Sequence, residues 1–453
     1  PGRVRKAWRA CRGVGNGPCS ASPRGRASAG PTGGLPVVRA ARKHLEGTSL
    51  KETFEWLPAF CDPLILKSSN LPMRDNTLDL HKPYIDDILL VCDQCGGPMK
   101  RISDVLDCWF ESGSMPYAQL HYPFDNKKEF EDNFPADFIA EGLDQTRGWF
   151  YTLHVLSTIL FDSPAFQNVI VNGILLAADG EKLSKRKKNY PDPSALFETH
   201  GVDSTRLFLY SSTAPLAEDV RFSEKHVEDI VKKFTLTLWN TYSFFVTYAS
   251  IDHWTPPVES RKPFIPKNKL DQWILSELHS LVNEITMYMD DYNLTRATRP
   301  MLDFVDNLSN WYIRRSRRRF WKSENDADKN EAYQTLYHVL VTLSKAMAPF
   351  TPFIADAMFR NLTDRESVHL ENWPAVEKTY LKESLNDEVR IIRKIVTLGH
   401  SVRAQRNIKV RQPLATVHIA LPQNVNEKLI REYETVIVEE LNVKQLVIEK
   451  AAG

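Results

Sequence analysis

The chain has 453 residues, of which 42% are hydrophobic and 25% are charged, and its formal net charge is +1. This composition is ordinary for a globular protein of two or three domains, and no apolar run is long enough to span a membrane. Six scattered cysteines are too few for a disulfide scaffold in a chain of this length, so we expect a reducing, cytoplasmic setting.

The first predicted region is residues 1–77. Its first 45 residues contain ten Lys or Arg and no acidic residue, and they are rich in Gly, Ala and Pro. There is no apolar core between the basic residues, so the pattern is not that of a secretory signal. The lack of periodicity indicates a disordered segment, or foreign or misread sequence; an organelle transit peptide is the alternative.

A cysteine pair, Cys92 and Cys95, follows shortly after this region, and two glycines come directly after it. The spacing is that of one half of a zinc knuckle. A structural zinc takes four ligands, and the chain has no second Cys-x-x-Cys. The nearby His81 and Cys61 do not have knuckle spacing, so the pair is a half site for Zn²⁺ at most.

The next region has an α/β pattern. Asp137–Ala140 predicts a short buried strand, Asp144–Phe161 a helix, and Asn168–Ala177 a second strand. Strand, helix, strand is the order of a parallel sheet, in which ligands bind beyond the carboxyl ends of the strands. Two conspicuous segments, residues 141–149 and 182–186, follow such strand ends, and we expect them to face one crevice.

The segment 182–186 is a basic loop that contains Lys182, Ser184 and Lys185. The preceding Asp179-Gly180 pair tolerates positive φ and predicts a tight reversal of the chain. Two lysines three residues apart can neutralise a polyphosphate, and a hydroxyl between them can add a hydrogen bond. A basic run of this kind is also typical of a solvated turn.

The other segment contains Glu141, Gly142, Asp144 and Gln145. A glycine at a strand end lets the backbone approach a ligand closely, and neighbouring carboxylates can accept both hydroxyls of a ribose. The free N–H groups at the start of the following helix can bind an anion. The alternative is an ordinary helix that Asp144 caps.

Two tryptophans lie next to these segments. Trp109 precedes a Ser-Gly-Ser turn, and Trp149 lies at the start of the helix that follows Gln145. An aromatic ring beside such a turn can form the wall of a small apolar pocket. A core tryptophan is the alternative for Trp109.

From residue 224 the strand pattern stops and amphipathic helices of bundle length follow. The predicted helices are Val227–Ser250, Asn268–Tyr288, Thr295–Trp321, Glu331–Ala348 and Pro352–Asn361. The tail predicts a helix at Glu383–Ala404 and strands at Thr416–Ala420 and Gln445–Glu449. The fold class is therefore α/β followed by all-α, with a small α+β tail.

The third of these helices ends in a run of cations interleaved with aromatic residues. Helical spacing places Arg314 near Arg318, and Arg315 near Arg319 and Lys322. This pattern predicts a surface that contacts phosphates and stacks bases. A solvated helix end is the alternative.

In combination these motifs resemble the class I aminoacyl-tRNA synthetases, and within them the isoleucyl family. The basic loop is similar to the Lys-Met-Ser-Lys-Ser signature, with Leu183 for Met and Arg186 for the last Ser. Further matching stretches are Asp107–Pro116, Phe134–Gly142, Asp144–Phe150, Asn310–Trp321, Ala348–Phe353 and Asn407–Pro413. The resemblance runs from about residue 78 to the end. Valyl and leucyl relatives share the architecture, and the stretch Glu111–Pro116 favours isoleucyl.

The resemblance implies a Rossmann-type catalytic half at 78–223, an anticodon-binding bundle at 224–378 and a tail at 379–453. It implies activation of isoleucine by ATP with Mg²⁺ and transfer to tRNA(Ile) by a cytoplasmic monomer. By resemblance, Lys182, Ser184 and Lys185 act on the phosphates. The other implied sites are the adenylate site (Glu141, Gly142, Asp144, Gln145, Lys185), the isoleucine pocket (Trp109, Trp149) and the tRNA surface (Arg314, Arg315, Arg318, Arg319, Lys322).

The chain also departs from the family pattern. None of its histidines has the His-x-Gly-His spacing of the family's first signature, and the inserted editing domain is missing. We therefore expect a fragment of the enzyme that is inactive alone. The alternatives are a non-catalytic tRNA-binding module derived from it and a valyl-type synthetase.

Overall fold

The computed structural model of this chain describes residues 107–183, 186, 189–190, 192–256, 264–321, 326–421 and 425–450, together with short stretches before residue 107. The remaining residues, which include most of the predicted region 1–77 and the pair Cys92 and Cys95, lie outside the described residues. No helix within the described ranges is both long and apolar enough to cross a membrane.

The chain divides into two compact units, and each is described by itself. The first unit comprises residues 1–140 and 144–169, and the second comprises residues 141–143 and 170–453. The described strands before residue 107 are β1 (Trp8–Ala10), β2 (Met73–Arg74), β3 (Thr77–Leu78), β4 (Leu89–Val91) and β5 (Pro98–Arg101). They pair antiparallel, β5 between β1 and β4, and β2 with β3.

Short helices and a strand–helix–strand segment follow. They are α1 (Cys108–Gly113), α2 (Met115–Ala118), α3 (Lys127–Asn133), β6 (Ala136–Gly142), a 3₁₀ turn (Leu143–Arg147), α4 (Trp149–Phe161) and β7 (Phe166–Asn172). Strands β6 and β7 pair in a two-stranded sheet. Closely packed aromatic rings of Tyr122, Phe130, Phe134 and Phe161 hold α3 against the end of α4.

Three predictions in this segment are wrong in detail. The helix expected at Asp144–Phe161 begins only at Trp149, because the residues before it form a 3₁₀ turn. The strand expected at Asn168–Ala177 is broken at Gly173, where a Cβ would lie 1.9 Å from the Glu218 carbonyl oxygen. The strand expected to be buried at Asp137–Ala140 buries only Ile139, since its other residues are exposed.

The second unit begins with a small parallel pair of strands. Strand β8 (Leu175–Leu176) pairs with β9 (Val220–Arg221), and helices α5 (Pro193–His200) and α6 (Val202–Ser211) connect the two. Asp192 caps α5 by accepting from Ser194 N, and Pro193 occupies the first helical position.

A helical bundle follows. Its helices are α7 (Glu224–Ile230), α8 (Leu236–Ile251), α9 (Lys269–Asp290), α10 (Leu294–Asp306), α11 (Arg314–Trp321), α12 (Asp326–Met347) and α13 (Pro352–Thr363). Two π-helical segments, Val231–Thr235 and Asn307–Ile313, join α7 to α8 and α10 to α11. The predicted helices are confirmed, with the difference that π segments interrupt two of them.

The tail contains α14 (Glu383–Gln405), β10 (Leu414–Leu421), α15 (Glu427–Glu432), α16 (Glu434–Leu441) and β11 (Val443–Lys450). Strands β10 and β11 pair parallel over their whole length. One continuous hydrophobic core runs from Leu207 of α6 through the bundle to Leu446 of β11. The fold class of α/β followed by all-α with an α+β tail is confirmed.

Candidate active-site segments and tRNA surface

The first unit brings together three residues predicted for the site, Gln145, Trp149 and Trp109, and a glycine. The side-chain oxygen of Gln145 accepts from the Trp149 backbone N–H at 2.9 Å and so satisfies the open first turn of α4. Gly148 is buried, and a Cβ there would lie 2.7 Å from Gln145 Oε1 and 2.8 Å from the ring of Trp109. Glycine is therefore required for Trp109 to lie against this turn.

The Trp149 ring is fixed from the other side of the same segment. Its indole N–H donates to the carbonyl oxygen of Ser112 at 3.1 Å, which ties α4 to α1. Asp107 caps helix α1, since its carboxylate accepts from the Trp109 N–H at 3.0 Å. Trp109 itself is 43% exposed, so the alternative of a core tryptophan is wrong. Its ring is available as a wall for a ligand.

Asp144 is exposed in the 3₁₀ turn and lies 3.4 Å from the Gln145 amide nitrogen. It is not the cap of the following helix, because Gly148 occupies that position and Gln145 satisfies the N–H group. In the second unit, Glu141 and Gly142 lie at the end of β6, and the Glu141 side chain is exposed.

The basic loop is held at its first lysine by backbone contacts. Lys182 forms an antiparallel bridge with Leu176 of β8, and its carbonyl oxygen accepts from the Asn189 amide at 3.1 Å. The Asp179-Gly180 reversal is confirmed, since Gly180 has a φ of +89° and its N–H donates to the Ala177 carbonyl oxygen at 2.8 Å. The Lys182 side chain is exposed. Ser184 and Lys185 lie outside the described residues.

The base of this loop is anchored by the neighbouring strand. The Phe222 N–H donates to the Leu176 carbonyl oxygen at 2.8 Å, directly beside the Lys182 bridge. The Arg221 guanidinium packs along Gly180, where a Cβ would approach it to 3.3 Å. The β8–β9 pair therefore positions the point at which the loop begins.

Three of the predicted arginines form ion pairs within the protein. Arg314 pairs with Glu440, and Arg315 pairs with the same carboxylate at 2.7 Å. Arg319 forms a two-pronged contact with the fully buried Asp271, at 2.7 and 2.8 Å, and also binds Asp328. These arginines connect α11 to α16, α9 and α12.

The outer face of α11 has a different character. Arg317 and Arg318 are exposed and form no ion pair with any residue that the structure describes, and Trp321 beside them is 54% exposed. Lys322 lies outside the described residues. Sequence reasoning did not separate the paired arginines from the exposed ones, because their partners are between 9 and 126 positions away in the chain.

Sequence reasoning also missed Asn189 and Gly148 as positioning residues. Asn189 lies seven positions after Lys182, and nothing in the local pattern marks it. Gly148 had a signal, since it stands between Gln145 and Trp149 in the matching stretch. No group of three or more metal-binding side chains occurs within the described residues.

Comparisons with known proteins agree with this arrangement. Residues 67–223 match the family "tRNA synthetases class I (I, L, M and V)", and residues 271–419 match the family "Anticodon-binding domain of tRNA ligase". The chain belongs to the class I tRNA synthetases. In this class I chain, the first matched region contains the tryptophans and the basic loop, and the second contains the arginines of α11.

Two individual relatives of high similarity are isoleucine–tRNA ligases. Isoleucine–tRNA ligase of Treponema denticola is 48% identical over 385 residues, which are 82% of this chain and 35% of that protein. The same enzyme of Protochlamydia amoebophila is 50% identical over 371 residues, covering 81% of this chain and 35% of that protein. This class I chain thus spans little more than a third of the length of these relatives.

One solved structure shares the fold. The agnB2 LeuRS of Agrobacterium radiobacter K84, in a ternary complex with tRNA and LeuAMS, superposes with a TM-score of 0.53 at 16% identity. The alignment covers 80% of this class I chain and 43% of that one. At this identity the likeness concerns the fold alone.

Proposed function

We propose that this chain carries the lysine-loop half of an isoleucine–tRNA ligase active site, joined to the domain that binds tRNA(Ile). The observation that carries the proposal is the geometry at Lys182. Its backbone is fixed on both sides, by Leu176 and by Asn189, while its side chain is exposed beside the parallel strand pair β8–β9. The relatives that are 48 to 50% identical to this chain are isoleucine–tRNA ligases.

In this proposal Lys182 and Lys185 stabilise the charge on the phosphates of ATP, which binds with Mg²⁺, while the isoleucine carboxylate attacks the α-phosphate. Ser184 adds a hydrogen bond to the same phosphates. The residues supply position and charge, and no covalent bond to the protein forms.

The amino-acid and ribose contacts fall to the other segments. Glu141, Gly142, Asp144 and Gln145 hold the adenylate, and the exposed face of Trp109 lies against the isoleucine side chain. Trp149, whose indole N–H is engaged with Ser112, orients the turn that supports Trp109. The exposed Arg317 and Arg318 contact tRNA phosphates, while Arg314, Arg315 and Arg319 fix the helix that presents them.

We further propose the domain limits 78–223, 224–378 and 379–453, a cytoplasmic location and a monomer. We also propose that the chain has no activating activity alone, because it lacks the His-x-Gly-His signature that completes the ATP site in the family.

The decisive experiment is a chimera in which residues 78–453 replace the matching segment of the Treponema denticola enzyme. ATP–pyrophosphate exchange should be supported by isoleucine and much less by valine. Lys182→Ala should lower kcat for exchange by about 100-fold, because it removes a charge that acts in the transition state. The control is Lys127→Ala, which removes an exposed lysine on α3 and should leave kcat unchanged.

Two results would contradict the proposal. If Lys182→Ala exchanges as fast as the unaltered chimera, the loop does not act on the phosphates. If the purified 453-residue chain catalyses exchange alone, it does not need a second half.

A further inference from the structure

Arg221, the last residue of strand β9, lies beside the reversal of the chain that precedes the basic loop. Strand β9 pairs parallel with β8, and the register places Arg221 opposite Leu176, the last residue of β8. On its other side, Leu176 forms the antiparallel bridge with Lys182. The carboxyl end of β8 therefore has a cationic residue on each side.

The register also determines the face on which these two cations lie. Residues that are opposite each other on neighbouring strands direct their side chains to the same face of a sheet. Arg221 and Lys182 therefore share the face on which Leu176 lies. Their backbones are roughly 10 Å apart, because each of the two strand spacings is about 4.8 Å. Two long cationic side chains at this separation can contact neighbouring phosphates of one polyphosphate chain.

The Arg221 guanidinium is held over the turn. A Cβ at Gly180 would lie 3.3 Å from Arg221 Nη2 and 3.4 Å from its Cζ, so the absence of a side chain at this glycine lets the guanidinium lie on the backbone. This packing restricts a long side chain before any ligand binds, which reduces the entropy that binding costs.

The charge of Arg221 is not neutralised by a neighbour. Its side chain is exposed and forms no ion pair with any residue that the structure describes. The Lys182 side chain is exposed as well. An oriented guanidinium without a carboxylate partner, next to an exposed lysine, is suited to bind an anion.

We propose that Arg221 binds phosphate beside Lys182, on the triphosphate of ATP and on the pyrophosphate that the reaction releases. Ligands of parallel sheets bind beyond the carboxyl ends of the strands, which is where both residues lie. The planar guanidinium can donate two parallel N–H bonds to one phosphate, whereas the ammonium group of a lysine acts as a point charge. Arg221 thus supplies direction as well as charge at this end of the strand pair.

This inference rests on the proposed function, and two measurements separate them. In the first, the full 453-residue chain is titrated calorimetrically with inorganic tripolyphosphate. Arg221→Ala should weaken this binding about tenfold, because it removes charge-assisted hydrogen bonds to phosphate. In the second, the same substitution in the chimera should raise KM for pyrophosphate in the exchange reaction about tenfold and leave KM for isoleucine unchanged.

Two further substitutions separate charge from packing. Arg221→Met retains an unbranched side chain over Gly180 without the charge, and it should weaken tripolyphosphate binding as much as Arg221→Ala does. Arg221→Lys retains the charge and should lose only about threefold. The matched control is Arg406→Ala, which removes an exposed arginine at the end of α14 and should change neither measurement. Thermal unfolding checks that every variant folds.

Three results decide between the inference and its alternatives. If Arg221→Met binds tripolyphosphate as tightly as the unaltered chain, the guanidinium only supports the turn at Gly180 and the inference is wrong. If Lys182→Ala lowers exchange while Arg221→Ala changes neither measurement, the proposed function stands and the inference is overturned. A chimera without exchange activity, together with a chain that binds tripolyphosphate through Arg221, would uphold the phosphate site and overturn the proposed function.

Discussion

The lysine-loop segment and the helical bundle are stabilised in opposite ways. The loop depends on a two-residue strand pair and on single backbone hydrogen bonds at Lys182, and its lysine is exposed. The bundle buries large side chains such as Trp273, Tyr312 and Phe359 completely or nearly so, and encloses ion pairs within its packing. In this chain the proposed chemistry lies on lightly held backbone, and the stability resides in the helical bundle.

The largest expected effect comes from breaking the most buried contact in the bundle. Asp271 is fully buried and binds both Arg319 and the hydroxyl of Tyr312, which donates to it at 2.7 Å. Asp271→Ala leaves a guanidinium and a hydroxyl without this partner and should cost about 3 kcal/mol in the free energy of unfolding. Urea unfolding followed by far-UV circular dichroism measures the change.

The control for this prediction is Asp387→Ala, which removes an exposed partner of Arg390 and should change stability by less than about 0.5 kcal/mol. Equal losses in both variants would show that burial does not distinguish the two ion pairs.

The second prediction concerns acid. The Nε2 atoms of His279 and His338 lie 3.4 Å apart in the bundle, and burial lowers the pKa of each side chain to about 4. The native state therefore binds fewer protons than the unfolded chain between the ordinary histidine pKa of about 6.5 and pH 4, so stability falls as the pH is lowered through this range. A loss on the order of 2 kcal/mol by pH 5 should appear in urea unfolding.

His338→Phe removes one of the two groups and should flatten this dependence between pH 7 and pH 5. An unchanged slope would mean that other groups produce it. An exposed histidine supplies the comparison: His226→Gln should leave the slope as it is in the unaltered chain.

The third prediction concerns the turn at Gly148, against which the Trp109 ring lies. Gly148→Ala places a methyl group within 2.8 Å of the Trp109 ring, so the ring or the turn must move. The expected cost in stability is about 1 kcal/mol, and KM for isoleucine in the chimeric enzyme should rise about tenfold while KM for ATP changes little. Cys108→Ala, at the exposed residue before Trp109, is the control. A parallel rise in both KM values would refute a role confined to the amino-acid pocket.

The smallest effect on stability is expected at the outer face of α11. Arg317→Gln and Arg318→Gln together should change the free energy of unfolding by less than about 0.5 kcal/mol, since neither side chain is paired within the described residues. The pair should nevertheless weaken tRNA binding several-fold at low salt and reduce the slope of log affinity against log salt by about 1 to 2. Unchanged binding would exclude this face as the tRNA contact.

The sequence predicted the bundle well because long amphipathic helices have a regular period. The predicted Glu383–Ala404 and the observed Glu383–Gln405 differ by one residue. It predicted residues 136–182 less well, because one contact that is distant in the sequence and one local side-chain hydrogen bond determine where the elements begin and end. Gly173 ends a strand by packing on Glu218, and the Gln145 side chain delays the start of α4.

The arginines of α11 show the same limit of prediction from sequence, here for ion pairs. The composition of this run indicated nucleic-acid binding. The run lies in the region that matches the family "Anticodon-binding domain of tRNA ligase". Which arginine faces outward depends on Glu440 and Asp271, more than 40 positions away, and no local pattern contains that information.

The contact between α6 and the bundle determines where a segment must begin if it is to be exchanged between related proteins. Asp203 accepts from the backbone N–H groups of Phe353 and Ile354, and Arg206 donates to the carbonyl oxygens of Pro349 and Phe350. The end of α6 is tied as well to Thr295, which donates to the Ser212 carbonyl oxygen at 2.7 Å. Cutting or joining the chain at residue 224 would therefore separate α6 from the bundle residues to which it is hydrogen-bonded. An exchangeable module has to begin before Val202, so that α6 travels with the helices to which it is bonded.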